Sequence, residues 1–532
     1  MNQTTIRTSA LTLVCILCGC TSSSYSPSSS NYSAPAFIGG SLSKVKSESR
    51  SASAVNFSPP PVVMDATASG PSWQSENTES YAPVMENAFV RTSTQPVSTF
   101  GADVDTASYA NVRRLIQSGA EVPDGAVRLE EMVNYFPYEY PQPAPGQPFA
   151  VSMETAECPW QQGDRLLKIA LRTREVAPAS RPRANLVFLV DVSGSMDEPN
   201  KLPLVKKGLQ LLTDGLREGD RIAMVSYAGN SGLVLPATAG AQKSTIRQAI
   251  RRLDAGGSTN GGEGIELAYR VASENFVRGG VNRVILATDG DFNVGMTDGK
   301  ALQRLIEAKA KSGVFLSVLG FGMGNLKDST LEMLADKGNG NYAYIDSVDE
   351  AKKVLDADAT GTLLTVAKDV KLQLQWNPAA AKRYRLLGYE NRVMANEDFA
   401  NDRRDSGDMG AGQRVTVLYQ YEPAADAGLL ATLRIRHKLP EASQSTMAVF
   451  TCPADGTKSF AQADADFRFT AAVTSFGLLL RGSPHTGSAT RESVLDWAGG
   501  ARGSDPGGLR REFVSLVNKA KLPHLPVRTV QR

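Results

Sequence analysis

Histidine and cysteine are scarce in this chain of 532 residues, which has three of the first and five of the second. The histidines are His437, His485 and His524, far apart in the sequence and far from the acidic motifs described below. Zinc sites and catalytic triads need such side chains grouped with one another or with acids. The composition therefore argues against both kinds of site.

An excess of charge of one sign is also missing, because Lys and Arg number 57 and Asp and Glu 55, for a formal net charge of +2. Proteins that bind the phosphates of nucleic acid generally carry a marked positive excess. Residues 319–325 resemble a dinucleotide fingerprint, but Asn325 stands where the third glycine belongs, and residues 256–262 lack the lysine of a phosphate-binding loop. We expect neither nucleic acid nor a nucleotide as ligand.

Long apolar runs are absent, and the N-terminal region has only a short one over residues 10–17. A membrane-spanning helix needs roughly 20 apolar residues, so residues 1–20, with Arg7 ahead of the apolar run, are predicted to be a signal peptide. The peptide ends in L-C-G-C, which resembles a bacterial lipobox with Cys20 as the lipidated residue. Thr21 stands where aspartate would favour the inner membrane, so an outer-membrane anchor is expected. Ordinary cleavage without lipid is the alternative.

Residues 21–82 are rich in serine, with scattered proline, and have no periodic apolar positions. Such a composition buries too little apolar surface to offset the loss of chain entropy on folding. We therefore predict a disordered tether that lifts a folded region away from the membrane. The basic, proline-containing residues 521–532 are predicted to be a disordered tail.

An apolar segment, residues 185–190, ends in D-V-S-G-S, which places Asp191, Ser193 and Ser195 at alternate positions. The continuous apolar pattern predicts a strand buried on both faces. Carboxylate and hydroxyl oxygens at the carboxyl end of such a strand suit Mg²⁺, Mn²⁺ or Ca²⁺ rather than a softer metal. A turn followed by a helix N-cap has the same short pattern, and the motif alone does not separate the two interpretations.

Two later stretches favour the metal interpretation. Residues 254–262 form a glycine-rich segment that carries Thr259 and precedes a helical pattern. Residues 281–288 form a second apolar strand, which ends in Asp289. Because the carboxyl ends of parallel strands meet at one edge of a sheet, we expect these oxygens to converge with those of the first motif.

Together the three stretches resemble the metal-ion-dependent adhesion site of von Willebrand factor type A domains. The resemblance implies one divalent cation, Mg²⁺ in the first place, with Mn²⁺ or Ca²⁺ as alternatives. The residues around it would be Asp191, Ser193, Ser195, Thr259 and Asp289. By the same resemblance, Thr259 joins in the ligand-bound state and Asp289 binds directly or through water. One coordination position then stays open for an Asp or Glu side chain of a protein partner.

The alternation of strands and helices over residues 183–358 predicts a doubly wound, Rossmann-like α/β domain with a central, mostly parallel sheet. Its expected strands are Leu186–Asp191, Arg221–Tyr227, Val281–Asp289, Val314–Gly320 and Asn341–Asp346. An N-terminal α+β segment, residues 87–180, precedes this domain, and a β-rich domain that ends in helices, residues 366–520, follows it. Within the first segment, we interpret Asp103 and Asp105 as caps or solvated positions rather than metal ligands.

The flanking segments are similar to a bacterial class of von Willebrand A lipoproteins, the YfbK-like proteins, over about residues 88–520. The matching pieces are residues 98–114, 128–136, 384–392 and 466–469. The class implies the three-part architecture, but it has no role assigned to the C-terminal domain. The predicted metal site is therefore the main indication of function in this sequence.

The favoured hypothesis is a lipid-anchored protein of the bacterial outer membrane, facing the periplasm or the surface, that binds a protein partner through the cation. Catalysis is not expected, because the sequence places no histidine, lysine or cysteine as base or nucleophile. A metal-dependent hydrolase and a structural envelope module with a non-functional metal site are the alternatives. Cys158 and Cys452 either pair or remain free, and the sequence leaves both options open.

Overall fold

The computed structural model describes residues 77–102, 104–257, 261–290, 292, 299–357, 364–404, 406–425 and 428–523. The predicted signal peptide with Cys20, most of the predicted tether and most of the predicted C-terminal tail lie outside these ranges, as do Asp103 and Thr259. Within the described ranges, no helix is both long enough and apolar enough to cross a membrane.

The N-terminal part of the described chain contributes four strands and two helices. They are β1 (Val90–Arg91), β2 (Val97–Gly101), α1 (Ala107–Gln117), α2 (Leu129–Asn134), β3 (Phe149–Glu157) and β4 (Arg165–Thr173). Strands β3 and β4 pair with each other in antiparallel register. None of the other strands in this part pairs within it, so their partners come from elsewhere in the described chain.

The central domain contains a six-stranded sheet. Its strands are β5 (Ala184–Asp191), β6 (Arg221–Tyr227), β7 (Ser231–Ala239), β8 (Val281–Thr288), β9 (Phe315–Phe321) and β10 (Tyr342–Ile345). Their order is β10-β9-β8-β5-β6-β7, and all run parallel except β7. This confirms the predicted doubly wound sheet and its five expected strands. Strand β7 was not predicted; it carries Gly232 and Pro236, which weaken a strand pattern and are tolerated at a sheet edge.

Helices cover both faces of this sheet. They are α3 (Leu202–Gly215), α4 (Lys243–Arg251), α5 (Gly261–Glu274), α6 (Gly299–Lys311), α7 (Asp328–Lys337) and α8 (Val348–Lys352). Side chains of β5 alternate between two cores: Phe188 and Val190 pack with α3 and α4, whereas Leu189 packs with α5, α6 and α7. Strand β5 is buried along its whole length, because a parallel strand between two helical layers has no side that faces solvent.

The C-terminal part supplies six strands and three helices. They are β11 (Thr365–Trp376), β12 (Ala381–Leu387), β13 (Met409–Gly410), β14 (Arg414–Pro423), β15 (Leu429–Lys438), β16 (Thr446–Pro453), α9 (Ala465–Leu480), α10 (Arg491–Gly499) and α11 (Leu509–Lys519). Two antiparallel sheets result: β1-β12-β14-β4-β3, and β13-β11-β15-β16 with β2 also paired to β11.

N-terminal and C-terminal strands therefore share both antiparallel sheets. We call residues 90–173 together with residues 365–519 the flanking domain. The sequence had suggested two separate units, residues 87–180 and residues 366–520. The difference has a physical reason: the pairing of strands far apart in sequence depends on side-chain packing between them and leaves no local periodic pattern.

The flanking domain has one core between its two sheets and another beneath its helices. Strand β4 lies at the boundary, with Leu167, Ile169 and Leu171 in the first core and Leu166 and Ala170 in the second. Helices α9, α10 and α11 form the helical layer together with α1 and α2. Each apolar face of this strand is thus covered.

Cys158 and Cys452 are free, buried thiols that belong to different cores. Burial raises the pKa of Cys158 to about 12 and that of Cys452 to about 11. Because the thiolate is the reactive form of cysteine, neither side chain is expected to react readily. The structure thus answers the question that the sequence left open.

Buried ion pairs join the flanking domain to the central domain. Arg128, just before α2, hydrogen-bonds to Asp328 on α7 and to Glu131 on α2. Arg113 on α1 contacts Glu350 on α8, with 2.8 Å between Nη2 and Oε2. A buried charge is costly unless it is paired, so these contacts make the relative position of the two domains specific.

Asp105 also lies in this interface, and the prediction of a solvated position or cap is wrong. It is 2% exposed, and its Oδ1 accepts the backbone N–H of Tyr342 on β10 at 2.7 Å. Arg392 lies 3.5 Å from both Asp105 and Glu332. A short D-x-D motif has the same pattern whether it is exposed or covered by a second domain, which explains the error.

The interface predicts a pH-dependent stability centred on Glu332. One carboxylate oxygen of Glu332 lies within 4.8 Å of one oxygen each of Asp105 and Glu131. Burial raises the pKa of Glu332 to about 8, against the opposing effect of Arg128. The ordinary value is 4.5, so folding takes up a proton between the two values and stability decreases as the pH rises through that window.

We therefore expect Glu332→Gln to make stability less dependent on pH, with its largest gain relative to wild type at the alkaline end. Urea unfolding at about pH 5 and about pH 8 measures this difference. Some dependence should remain, because burial also raises the pKa of Glu130, to about 7. An unchanged difference between the two pH values would contradict the prediction.

Candidate metal centre

The first predicted loop begins where β5 ends. Asp191 Oδ1 accepts the backbone N–H of Ser193 at 2.9 Å, which closes a tight turn. The hydroxyl oxygens of Ser193 and Ser195 lie 3.1 Å apart. Asp191 is fully buried and Ser195 is exposed, so the three side chains span from the sheet edge to the surface. The alternation seen in the sequence thus brings the three groups together.

The second oxygen of Asp191 is held by neighbouring strands. Its Oδ2 accepts hydrogen bonds from the hydroxyl of Tyr227, at the end of β6, at 3.0 Å and from that of Thr288, at the end of β8, at 3.2 Å. Burial raises the pKa of Asp191, the hydrogen bonds from Ser193 lower it, and the charge of Asp289 raises it again. The hydrogen bonds therefore hold the Asp191 carboxylate in place, although burial and the neighbouring charge of Asp289 disfavour its ionised form.

Asp289 follows β8 and is also fully buried. Its Oδ2 accepts a hydrogen bond from Lys201 Nζ at 3.1 Å. Its Oδ1 is buried without a hydrogen-bond partner among the described residues. Such an oxygen is rare in folded proteins and indicates a missing ligand or stored free energy.

The glycine-rich segment approaches the first loop from the other side. Gly256 donates its N–H to the carbonyl of Val192 at 2.7 Å, and Gly194 donates to the carbonyl of Gly257 at 3.1 Å. Gly257 has a φ of +88°, which a residue with a side chain rarely adopts. Thr259 itself lies outside the described residues, but the chain leading to it is bonded directly to the loop of Ser193.

Three side chains of this site were not predicted from the sequence: Lys201, Tyr227 and Thr288. Tyr227 and Thr288 stand at the ends of strands next to β5, so their positions follow once the strand order is known. Lys201 precedes α3, and an isolated lysine at a helix start carries no signal that it turns inward. The sheet order and the loop path were needed to find these contacts.

The donor set fits a hard divalent cation. Asp191 and Asp289 supply carboxylate oxygens, and Ser193 and Ser195 supply hydroxyls, all at the same sheet edge. The Oδ1 of Asp289, unpaired within the described ranges, is the strongest single indication, because a bound cation would satisfy it. Among the described residues, no histidine or cysteine takes part, so the chemistry does not favour a soft metal.

Residues 77–82, which we call the strap, pack against the loop between β9 and α7. Thr78 and Ser80 donate backbone N–H groups to the carbonyls of Gly324 and Leu326, at 2.7 and 2.9 Å. The strap lies inside the range predicted as tether, so the ordered chain begins earlier than the sequence indicated. Its residues are polar and lack periodicity, which explains why composition placed them with the tether.

Glu79 fastens the strap. It forms two hydrogen bonds with Arg114, at 3.1 and 2.9 Å, and accepts the N–H of Gly324 at 2.8 Å. Burial alone would raise the pKa of Glu79, but the bonds from Arg114 and Gly324 lower it overall. The carboxylate is therefore ionised and bonded at once to α1 and to the loop between β9 and α7.

That loop, residues 322–327, contacts the metal-site residues. A Cβ on Gly290, next to Asp289, would lie 2.6 Å from the Cα of Leu326, and Gly290 has a φ of +112°. A Cβ on Gly322 would lie 2.4 Å from the Cε of Lys201. At Gly290 a larger residue would push against the backbone of the loop, and at Gly322 it would displace the side chain of Lys201; both positions also have a positive φ that favours glycine.

Three sequence families match the chain in succession. Residues 75–168 match the family described as von Willebrand factor, and residues 185–357 match the von Willebrand factor type A domain. Residues 361–522 match the family described as Uncharacterized protein YfbK, C-terminal. The match to the von Willebrand factor type A domain contains every described residue of the candidate metal centre.

YfbK of Escherichia coli strain K12 is 42% identical over 470 residues, which cover 83% of this chain and 81% of the relative. The chain belongs to the YfbK family. Both the von Willebrand A domain and the family assignment that the sequence suggested are thereby confirmed. The high coverage extends the likeness beyond the central domain to the flanking domain of this YfbK-family chain.

Solved structures resemble the YfbK-family chain more distantly. A von Willebrand factor type A protein from Catenulispora acidiphila is 16% identical, covers 71% of this chain and 93% of its own, and has a TM-score of 0.41. Proximal thread matrix protein 1 from the mussel byssus, with a zinc-occupied adhesion-site motif, is 24% identical, covers 36% of this chain and 46% of its own, and has a TM-score of 0.28.

Domains of the von Willebrand A family commonly bind a divalent metal and generally mediate protein–protein interactions. The YfbK-family chain carries such a domain with its acidic and hydroxyl groups at one sheet edge.

Proposed function

We propose that this protein is a lipid-anchored protein of the bacterial cell envelope that binds a protein partner through a divalent cation. Asp191, Ser193, Ser195, Thr259 and Asp289 would hold the cation. The observation that carries the proposal is the buried Oδ1 of Asp289, which has no hydrogen-bond partner among the described residues, at the sheet edge where Asp191 and the two serines meet.

The proposed cation is Mg²⁺, with Mn²⁺ or Ca²⁺ as alternatives, because carboxylate and hydroxyl oxygens are hard ligands. When bound, it would offer one coordination position to an Asp or Glu side chain of the partner. The protein's own residues orient the site: Tyr227 and Thr288 fix one oxygen of Asp191, and the N–H of Ser193 fixes the other.

We propose binding rather than catalysis as the role of this site. Lys201, a basic side chain of the described site, donates a hydrogen bond from its Nζ to Asp289, so this nitrogen acts as a donor to a carboxylate and is not placed as a general base. A hydrolase role would require phosphatase or peptidase activity that depends on Mg²⁺ or Mn²⁺, and an assay of the purified protein for both activities tests this alternative.

Attachment to the outer membrane is proposed to occur through lipid on Cys20, with the serine-rich chain up to the strap as a tether. The support is the leader sequence, with its short apolar run and terminal L-C-G-C. The anchored protein would face either the periplasm or the surface, and in either location its partner is a protein with an accessible acidic side chain.

A pull-down from envelope extract with the full-length protein tests the proposed function. We expect a partner to be recovered in Mg²⁺, lost in EDTA and recovered again when Mg²⁺ is added in excess. The reason is that the cation would form part of the contact surface. A partner retained equally in EDTA would contradict a metal-mediated contact and favour a structural role for the domain.

A further inference from the structure

Lys201 is a buried lysine that ends in the metal centre. The residue is 3% exposed, and its Nζ lies 3.1 Å from Oδ2 of the fully buried Asp289. A second acid, Glu198, is 3.8 Å away, but its side chain is mostly exposed. Lysine is rarely buried to this degree unless its charge is paired, so the contact with Asp289 accounts for the position of the ammonium.

The protein builds a slot for this side chain. Gly322, with a φ of +76°, leaves the space that the stem of Lys201 fills, since a Cβ there would lie 2.4 to 2.8 Å from its Cε, Cγ and Cδ. The backbone on either side of Lys201 is fixed as well, because its N–H donates to the carbonyl of Glu198 and its carbonyl accepts from Val205. The space at Gly322 and the backbone hydrogen bonds of Lys201 therefore hold its ammonium next to Asp289.

The positive charge of Lys201 makes the described site less attractive to a divalent cation than its two carboxylates alone would be. Asp191 and Asp289 contribute two negative charges, and Lys201 offsets one of them. A divalent cation would then enter a site with less net attraction, and the Lys201 ammonium would repel it at short range. Without a cation, the same ammonium offsets the negative charge of Asp289 and so reduces its repulsion of Asp191.

We propose that Lys201 is a built-in cation of this site: it holds Asp289 in position when no metal is bound, and it weakens metal binding. The proposal rests on the proposed metal-binding function and concerns its regulation. Lys201 is a positioning residue, because it acts through Asp289. Its charge lets the domain keep its structure without metal and keeps the site exchangeable.

Calorimetric titration of the full-length protein with Mn²⁺ tests this inference. It is carried out on the wild type and on two variants. Lys201→Met keeps the length of the side chain and removes its charge, and we expect it to bind Mn²⁺ about tenfold more tightly or better. Lys207→Met is the matched control: Lys207 lies on α3, the helix that follows Lys201, its side chain is exposed, and its loss should leave the affinity unchanged. Equal or weaker binding by Lys201→Met would overturn the proposal.

A second measurement covers the case in which Lys201→Met fails to fold without metal. Thermal unfolding in EDTA is compared for Lys201→Met, Asp289→Asn and the double variant. We expect Lys201→Met to lower the melting temperature and the added Asp289→Asn to restore most of it, because the buried charge left behind is removed. Strictly additive effects of the two substitutions would overturn the role of Lys201 in holding Asp289.

These experiments separate the inference from the proposed function. If wild type binds no Mn²⁺, the metal-binding function fails, whereas the stability comparison in EDTA still decides whether Lys201 supports Asp289. If wild type binds Mn²⁺ and Lys201→Met binds it no more tightly, the function stands and the inference fails.

Discussion

Asp191→Asn is expected to lower the affinity of the protein for Mn²⁺ about 100-fold or more, and calorimetric titration measures the change. The substitution keeps the size of the side chain but removes one of the two carboxylates at the described site. Loss of an outer partner of a metal ligand typically costs about 10 to 100-fold in affinity, so loss of a charged ligand should cost at least as much. Asp191 is held in one position by hydrogen bonds from Ser193, Tyr227 and Thr288, so no other side chain can readily take over its place as a ligand.

Asp197→Asn is the matched control, because Asp197 lies on the same loop but is exposed. Its loss removes the same charge and should leave Mn²⁺ binding near the wild-type value. The Asp191 variant is expected to fold, since burial raises the pKa of Asp191 and its charge is held at a cost. Binding of Mn²⁺ by Asp191→Asn with wild-type affinity would contradict the assignment of the ligands.

Arg128→Met is expected to destabilise the protein by about 3–5 kcal/mol, because it leaves buried carboxylates without their partner. Arg128 is 6% exposed and contacts Glu131, Asp328 and Glu332. Methionine retains much of the apolar volume, so the loss would be chiefly electrostatic. Urea unfolding at neutral pH, followed by circular dichroism, measures the change in the free energy of unfolding.

Arg247→Met is the control for that experiment. Arg247 pairs with Asp214 on the surface, where the two side chains are 43% and 59% exposed, and exposed pairs contribute about 0–1 kcal/mol. Equal effects of the two substitutions would contradict the claim that the domain interface depends on its buried charges.

The fold of the central domain could be predicted because its strands have strong local signals. Strands β5 and β8 are continuous apolar runs, and both are buried along their whole length between two helical layers. Strand β6 was predicted with the bounds that the structure has, Arg221–Tyr227. Edge strand β7 carries glycine and proline and lacked such a signal.

The flanking domain shows the limit of local patterns. Strand β4 pairs with β14 along eight residue pairs, from Arg414 with Arg172 to Tyr421 with Arg165, although some 250 residues separate the two strands. A single sequence shows that each is a strand but not that they are neighbours. The burial of Asp105 was missed for the same reason, since it depends on a contact with the second domain.

The positions of the side chains in the candidate metal centre were partly predictable. Asp191, Ser193 and Asp289 follow directly from strand ends, where the topology of a parallel sheet brings loops together. The position of Lys201 was not predictable, because its side chain points inward only where Gly322 leaves space for it, in a loop more than a hundred residues away in the sequence. The strap was missed because Glu79 is held by one buried ion pair rather than by an apolar pattern.

Crystals of the protein soaked in Mn²⁺, with anomalous diffraction measured near the manganese edge, test the central claim most directly. The account predicts a single strong anomalous peak bounded by the oxygens of Asp191, Ser193, Ser195 and Asp289, with Oδ1 of Asp289 directed at it. No peak between these oxygens, or oxygens turned away from a common centre, would contradict it.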